Sequence, residues 1–127
     1  MEKAIYDILS NDGPVTAITT SIDPHRIPQG DSPFPAITYS RINNDPSDTK
    51  DGVSTLDVIR IDVDIWDDSY ATGKDLADKV RTALDRTSGT YSGRVIQSIK
   101  FETDREMYDN NSETYHFNQE YSIRYTR

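Results

Sequence analysis

Five aspartates crowd one short stretch of the chain: Asp57, Asp62, Asp64, Asp67 and Asp68. In an extended backbone Asp62 and Asp64 share a face, so their carboxylates could converge on a hard cation, which prefers oxygen ligands. The rest of a calcium loop is missing. There is no Asp-x-Asp-x-Asp-Gly run with a distal glutamate, and no histidine lies nearby in sequence. Arg41 and Arg60 are better partners, neutralising the carboxylates across a sheet. The expectation is a polar strand face turned to solvent or to a neighbouring subunit. The two histidines, His25 and His116, lack the paired spacing of a zinc site. His116 and Glu120 would share a strand face, which makes an acid–base pair conceivable, but a surface histidine is the simpler reading. Nucleophile elbows, Gly-rich phosphate loops and Cys/His clusters are absent; Ser88-Gly89 and Ser92-Gly93 read as turns. The late basic residues Arg94, Lys100, Arg105, Arg124 and Arg127 alternate with Glu102, Asp104, Glu106 and Glu120, a mixed salt-bridging surface and not a nucleic-acid groove. No catalytic, cofactor or metal site is expected, and the chain is not expected to be an enzyme.

Composition narrows the class. With 127 residues one core is feasible and two are not. The formal charge is −8, from 22 acidic and 14 basic residues, which disfavours binding nucleic acid by neutralising its phosphates. The absence of cysteine removes disulfides and thiol chemistry and fits a reducing cytosol. No apolar run approaches the roughly 20 residues that span a bilayer. The first residues, Met-Glu-Lys-Ala-Ile-Tyr-Asp-Ile-Leu, offer no signal-peptide core, so a soluble intracellular protein without membrane contact is expected. Eight tyrosines suit interfaces and strands equally.

The elements that must position the polar residues follow from periodicity. Ile59, Ile61, Val63 and Ile65 alternate with Arg60, Asp62 and Asp64, which predicts a strand with one buried and one polar face. Leu76, Ala77, Val80, Ala83 and Leu84 recur at helical spacing, with Asp68 or Ser69 as the cap. Glu2 to Ser10 reads as a short helix and Val15 to Ile22 as a turn and an extended piece. Asp23 to Pro35 holds four prolines and reads as an irregular connection. Further strands are expected over Pro35–Ile42, Arg94–Glu102 and Tyr115–Tyr125. In the last, Tyr115, Phe117, Tyr121, Ile123 and Tyr125 share a face broken only by Gln119, opposite His116, Asn118, Glu120, Ser122 and Arg124. The polar run Asn43 to Gly52, Asn-Asn-Asp-Pro-Ser-Asp-Thr-Lys-Asp-Gly, reads as a mobile hairpin loop reaching from about 43 to 55. The expected fold is one α+β domain over 1–127. It has a mainly antiparallel four-stranded sheet with helices packed on one face, in the order α-β-β-α-β-β.

The chain resembles the phage tail-completion family, the small proteins that cap the tail tube and join it to the head in long-tailed phages. The resemblance runs over nearly the full length. It is carried by the N-terminal amphipathic helix ending in Asn11-Asp12-Gly13-Pro14-Val15, by Pro33-Phe34-Pro35-Ala36-Ile37-Thr38-Tyr39, and most of all by Ile61-Asp62-Val63-Asp64-Ile65-Trp66-Asp67-Asp68-Ser69-Tyr70-Ala71. Gln97-Ser98-Ile99-Lys100-Phe101 and Tyr115 to Ile123 follow in order.

The resemblance implies a homo-oligomeric ring, usually of six copies, on the head-proximal end of the virion tail. Its partners would be the tail tube protein and a head-connector protein, and the subunits would await assembly in the host cytoplasm. Genome DNA would pass through the lumen without specific binding, and a net acidic chain is compatible with that. The interface candidates are Arg41, Arg60 and Arg124 against Asp62, Asp64 and Glu120, together with Asp45, Asp48, Lys50 and Asp51 of the polar loop. The alternatives left open are another head-completion or neck adaptor protein of a phage and, more remotely, a small acidic α+β enzyme or ligand-binding domain.

Overall fold

The alternation read along residues 59–65 is present in a computed structural model of the chain, which describes residues 2–19, 22–24, 35–49, 52–91, 93–110 and 113–126. Ile59, Ile61, Val63 and Ile65 are fully buried, whereas Arg60, Asp62 and Asp64 are half-buried on the opposite face. Helices α1 (Glu2–Ser10) and α2 (Gly13–Thr16) lead into β1 (Ile22–Pro24), β2 (Ala36–Thr49) and β3 (Gly52–Asp67). Helix α3 (Tyr70–Leu84), β4 (Gly89–Tyr91), β5 (Arg94–Asp109) and β6 (Thr114–Thr126) follow.

The expected architecture needs correction. The strands form one six-stranded sheet in the order β1-β2-β3-β6-β5-β4, curved into a half-barrel, and strand is the dominant element among the described residues. The four-stranded, mainly antiparallel α+β sandwich with helices packed on one face, in the order α-β-β-α-β-β, is therefore replaced by a strand-dominated mixed sheet. It is mixed because β1 pairs parallel with β2, Ile22 opposite Ile37. Two causes explain the difference. The added strands β1 and β4 are three residues each, too short to show a period of two. The long strands also run further than their apolar alternation. The polar run expected to be a loop is strand: β2 continues through Asn43–Thr49 and pairs with Gly52–Arg60 of β3. Pro46 pairs with Asp57 well past Tyr39, the last β2 residue paired with β1, on a stretch of β2 where an edge position tolerates a missing donor.

Sheet and helices share one core. Ile5 and Leu9 of α1, Leu76, Val80 and Leu84 of α3, and Tyr121 and Ile123 of β6 join the β3 row. Each such aliphatic side chain contributes about 1.5–3 kcal/mol by leaving water. Gly73 lets α3 approach β6 closely, since a Cβ there would meet Phe117 Cε2 at 2.6 Å. Gln119, which interrupts the apolar face of β6, is buried and useful. Its Nε2 donates to the Ala77 carbonyl at 2.9 Å, and its Oε1 accepts from the Tyr121 hydroxyl at 2.6 Å. Asp12 caps α2 by accepting from Val15 N–H at 3.2 Å. At α3 the cap residue is Ser69, whose side chain makes no cap bond; Asp67 Oδ1 instead accepts from Ser69 N–H at 3.2 Å.

Candidate functional site

Antiparallel pairing places β3 and β6 side chains in rows across the polar face. Trp66 lies opposite His116, Asp64 opposite Asn118, Asp62 opposite Glu120, Arg60 opposite Ser122 and Val58 opposite Arg124. The rows knit into one cluster. Asn118 Nδ2 donates to Asp64 Oδ1 at 2.7 Å and to Asp62 Oδ1 at 3.3 Å. His116 Nε2 and Asp64 Oδ1 are 2.6 Å apart, and the imidazole stacks on Trp66 with ring centroids 3.8 Å apart and planes 8° apart. Trp66 Nε1–H donates to Thr38 Oγ1 on β2 at 3.1 Å. Asn118 is only 4% exposed, and among the described residues its Oδ1 has no partner.

The electrostatics are unbalanced toward the negative. Directly opposed like charges destabilise a strand pair, and Asp62 faces Glu120. Burial pushes the Asp62 carboxyl above its ordinary range. The Asn118 amide acts against that shift, the Asp64 and Glu120 charges add to it, and Arg105 draws it down again. Arg60 reaches Glu120 at 3.8 Å, a loose pair. Among the described residues no three His, Cys, Asp or Glu side chains are grouped to hold a metal. The histidine's partner is Asp64 and not Glu120. Stacking on Trp66 fixes the ring in the sheet.

Of the expected interface residues, Arg60, Asp62, Asp64 and Glu120 come together here. Arg124 is exposed on the same face, two rows from Glu120 and beside Ser98 of β5. The register partner of Arg41 is Ile61, of the other face, just before β2 shifts register. The backbones of Asp45 and Asp48 lie on the far end of the β2–β3 hairpin, paired with Val58 and Val53. His25, Lys50 and Asp51 lie outside the described residues. Sequence reasoning missed Trp66, Thr38 and Asn118 as members of the cluster. The signal was present: Trp66 has the parity of Asp62 and Asp64, and Asn118 that of His116 and Glu120.

A second surface surrounds α3. At its start the Tyr70 hydroxyl donates to Glu106 Oε2 at 3.0 Å and Lys74 Nζ to Glu106 Oε1 at 2.6 Å. Lys74 and Tyr70 hold the Glu106 carboxyl below its ordinary range, and Glu106 raises both partners. Tyr115 meets Tyr70 and Tyr108 edge-on at 5.3 and 5.0 Å. Tyr70 and Tyr108 are each more than 40% exposed, an aromatic patch of the kind interfaces use. At the other end of α3 the Arg81 guanidinium lies 3.9 Å from the Phe101 ring centroid. No helix among the described residues is long and apolar enough to cross a membrane.

Comparison with known proteins converges on virion structure. The family model described as "Tail completion protein gp17" matches residues 3–126. Among solved structures the chain is similar to one from the "Virion of native gene transfer agent (GTA) particle". The match has 19% identity and a TM-score of 0.78, and covers 100% of this chain and 95% of that one. None of the curated proteins compared matches the chain. The family match spans almost every residue of both surfaces, and the chain belongs to the tail-completion protein family, whose members are structural parts of the phage tail.

Proposed function

We propose that the chain assembles as a ring, of six copies, that caps the head-proximal end of the tail tube and joins it to a head-connector protein. The observation that carries this reading is the family match over residues 3–126. The geometry supports it in three ways. The curved sheet presents two different edges, β1–β2 and β4–β5, which suits a heterologous contact repeated around an axis. The polar face holds an excess of half-buried carboxylates that complementary charge on a neighbour would offset, fixing register and rejecting wrong partners. The net charge of −8 suits a lumen through which DNA passes without adhering. The protein acts by binding, not by catalysis, and its subunits wait in the host cytoplasm until tails are complete.

Deleting the gene and imaging the particles tests this. The expected result is full heads beside unattached tails with over-long or ragged ends. Normal joined particles would reject the reading. Heads that leak DNA beside tails of normal length would instead favour a neck adaptor seated on the head.

A further inference from the structure

The polar face changes sign along its length. Toward Trp66 it carries the carboxylate cluster, and toward Val58 it turns basic. Ser98 of β5 lies opposite Arg124 of β6, and Lys100 lies opposite Ser122. On the other side of β6, Val58 lies opposite Arg124 and Arg60 opposite Ser122. Side chains directly opposite in an antiparallel pair have Cβ atoms about 4.5–5.5 Å apart. Ser98, Lys100, Ser122 and Arg124 therefore form a compact square, with the hydroxyls on one diagonal and the cations on the other. Two irregularities in β5 build it. Register shifts between Ile96 and Ser98 and again between Phe101 and Thr103. Ile96 and Ile99 are three residues apart and both buried, which a regular strand does not allow. The extra residue, Gln97, re-phases β5 and so brings Ser98 and Lys100 to the polar face. Bulges re-aim side chains in this way beside functional sites.

The square surrounds an open hollow of about 230 Å³, and Val58 and Glu102 complete its lining. Its donors are uncommitted. Among the described residues no side-chain hydrogen bond engages the Ser98 or Ser122 hydroxyl, and the Arg124 guanidinium has neither a hydrogen bond nor an ion pair. Lys100 meets Glu102 only loosely, at 3.8 Å, and Arg60 beside Ser122 meets Glu120 at the same distance. Exposed pairs of this kind contribute little and yield readily to a better anion.

We propose that this hollow binds a phosphate group through Arg124, Lys100 and the hydroxyls of Ser98 and Ser122. A phosphate is tetrahedral and presents oxygens in several directions, which suits donors converging from two strands. A carboxylate has two oxygens in one plane, and a single guanidinium fork satisfies it. Arginine, lysine and serine are side chains that hold phosphate oxygens of nucleic acids. The DNA backbone and free phosphate offer the same chemistry, and the test separates them. Glu102 in the lining and the net charge of −8 keep the contact weak and sensitive to salt. The proposal goes beyond the ring reading and does not rest on it.

Amide NMR spectra of the purified chain are recorded while inorganic phosphate replaces chloride at constant ionic strength. Saturable shifts confined to Ser98, Lys100, Ser122, Arg124 and their neighbours are expected. Arg124→Gln and Lys100→Gln should each weaken binding about tenfold, as loss of a charged hydrogen bond does. Arg124→Lys keeps the charge and should retain part of the affinity. Lys3→Gln, at an exposed position of α1, should change nothing. A short duplex DNA probe then identifies the source. Shifts at the same amides, with log Kobs falling against log salt at a slope of about −1, assign one backbone phosphate per copy. Shifts with inorganic phosphate and none with DNA assign free phosphate. Either result supports the site. No saturable shift at the square with either probe overturns it, and so do shifts that persist when Lys100 and Arg124 are both replaced by glutamine. If that double variant instead loses a self-association that phosphate does not compete with, the square receives a neighbour's carboxylate and the proposal fails. The gene deletion tests the ring reading separately, so either idea can fail without the other.

Discussion

Trp66 and His116 stack face to face across the β3–β6 pair, ring centroids 3.8 Å apart and planes 8° apart. The stack joins a strand end to the carboxylate cluster. Trp66 is tied to Thr38 on one side and His116 to Asp64 on the other. Three strands are thereby locked at the polar face without any contribution from the apolar core.

Trp66 is the chain's single tryptophan, so its emission reports this contact alone. His116→Ala should expose the indole, change its emission intensity and shift it to longer wavelength. It should destabilise the fold by about 1–2 kcal/mol in urea, from the aromatic pair and the bond to Asp64. His116→Phe keeps a ring for stacking and loses the bond, so it should preserve most of the emission and lose less stability. Identical emission from parent and alanine variant would show that the rings do not stack in solution.

Gln119→Leu should be the most harmful polar-to-apolar change in the core. The leucine would fill the space but leave the Tyr121 hydroxyl without its acceptor, and the Ala77 carbonyl with only its helical bond from Arg81 N–H. An orphaned buried polar group costs about 1–3 kcal/mol. Tyr121→Phe removes one of those groups and leaves Gln119 bonded to α3, so it should cost about 1 kcal/mol. Denaturation midpoints in the opposite order would mean that the Gln119 bridge contributes little.

The sequence made the inner half of this sheet legible and its periphery much less so. Ile59 to Ile65 and Tyr121 to Tyr125 announce themselves because one face is apolar and the other is not. Residues 43–49 carry asparagine, aspartate and proline, a local loop signal. Their pairing with β3 is a tertiary effect that overrides propensity. Thr103 to Tyr108 are all exposed, so the outer half of β5 has no apolar alternation to read. The carboxylates of the polar cluster were visible by parity alone. The bridging role of Asn118 was not, because it depends on the register that sets it opposite Asp64.

Acidification should act on two groups of carboxyls with opposite sign. Asp62 and Asp67 are raised, chiefly by burial, so each binds its proton more tightly folded than unfolded. Each therefore opposes folding above its folded pKa, and that penalty is relieved as pH falls through it. Glu106 is lowered by Lys74 and Tyr70, so its contribution is present above the ordinary glutamate value and lost as pH falls through its depressed one. Asp62→Asn should raise the urea midpoint at pH 7, with an advantage that shrinks on acidification and vanishes below an ordinary aspartate pKa of about 3.9. An advantage that persists unchanged to pH 3 would separate it from proton binding.

Gly73→Ala sets two effects against each other. Alanine favours helix over glycine by about 1 kcal/mol, and Gly73 sits inside α3. The new methyl, however, would lie 2.6 Å from Phe117 Cε2 and 3.1 Å from Asp67 Cβ. Phe117 is buried, and Asp67 at the end of β3 has a carboxylate oxygen with no partner among the described residues, so neither neighbour yields freely. Overpacking of this kind costs about 1–3 kcal/mol, which exceeds the propensity gain over most of that range. The variant should unfold at lower urea than the parent, and Phe117→Leu, with its smaller side chain, should partly rescue it when combined. Gly73→Ala more stable than the parent would mean that α3 stands further from β6 than the Phe117 contact requires.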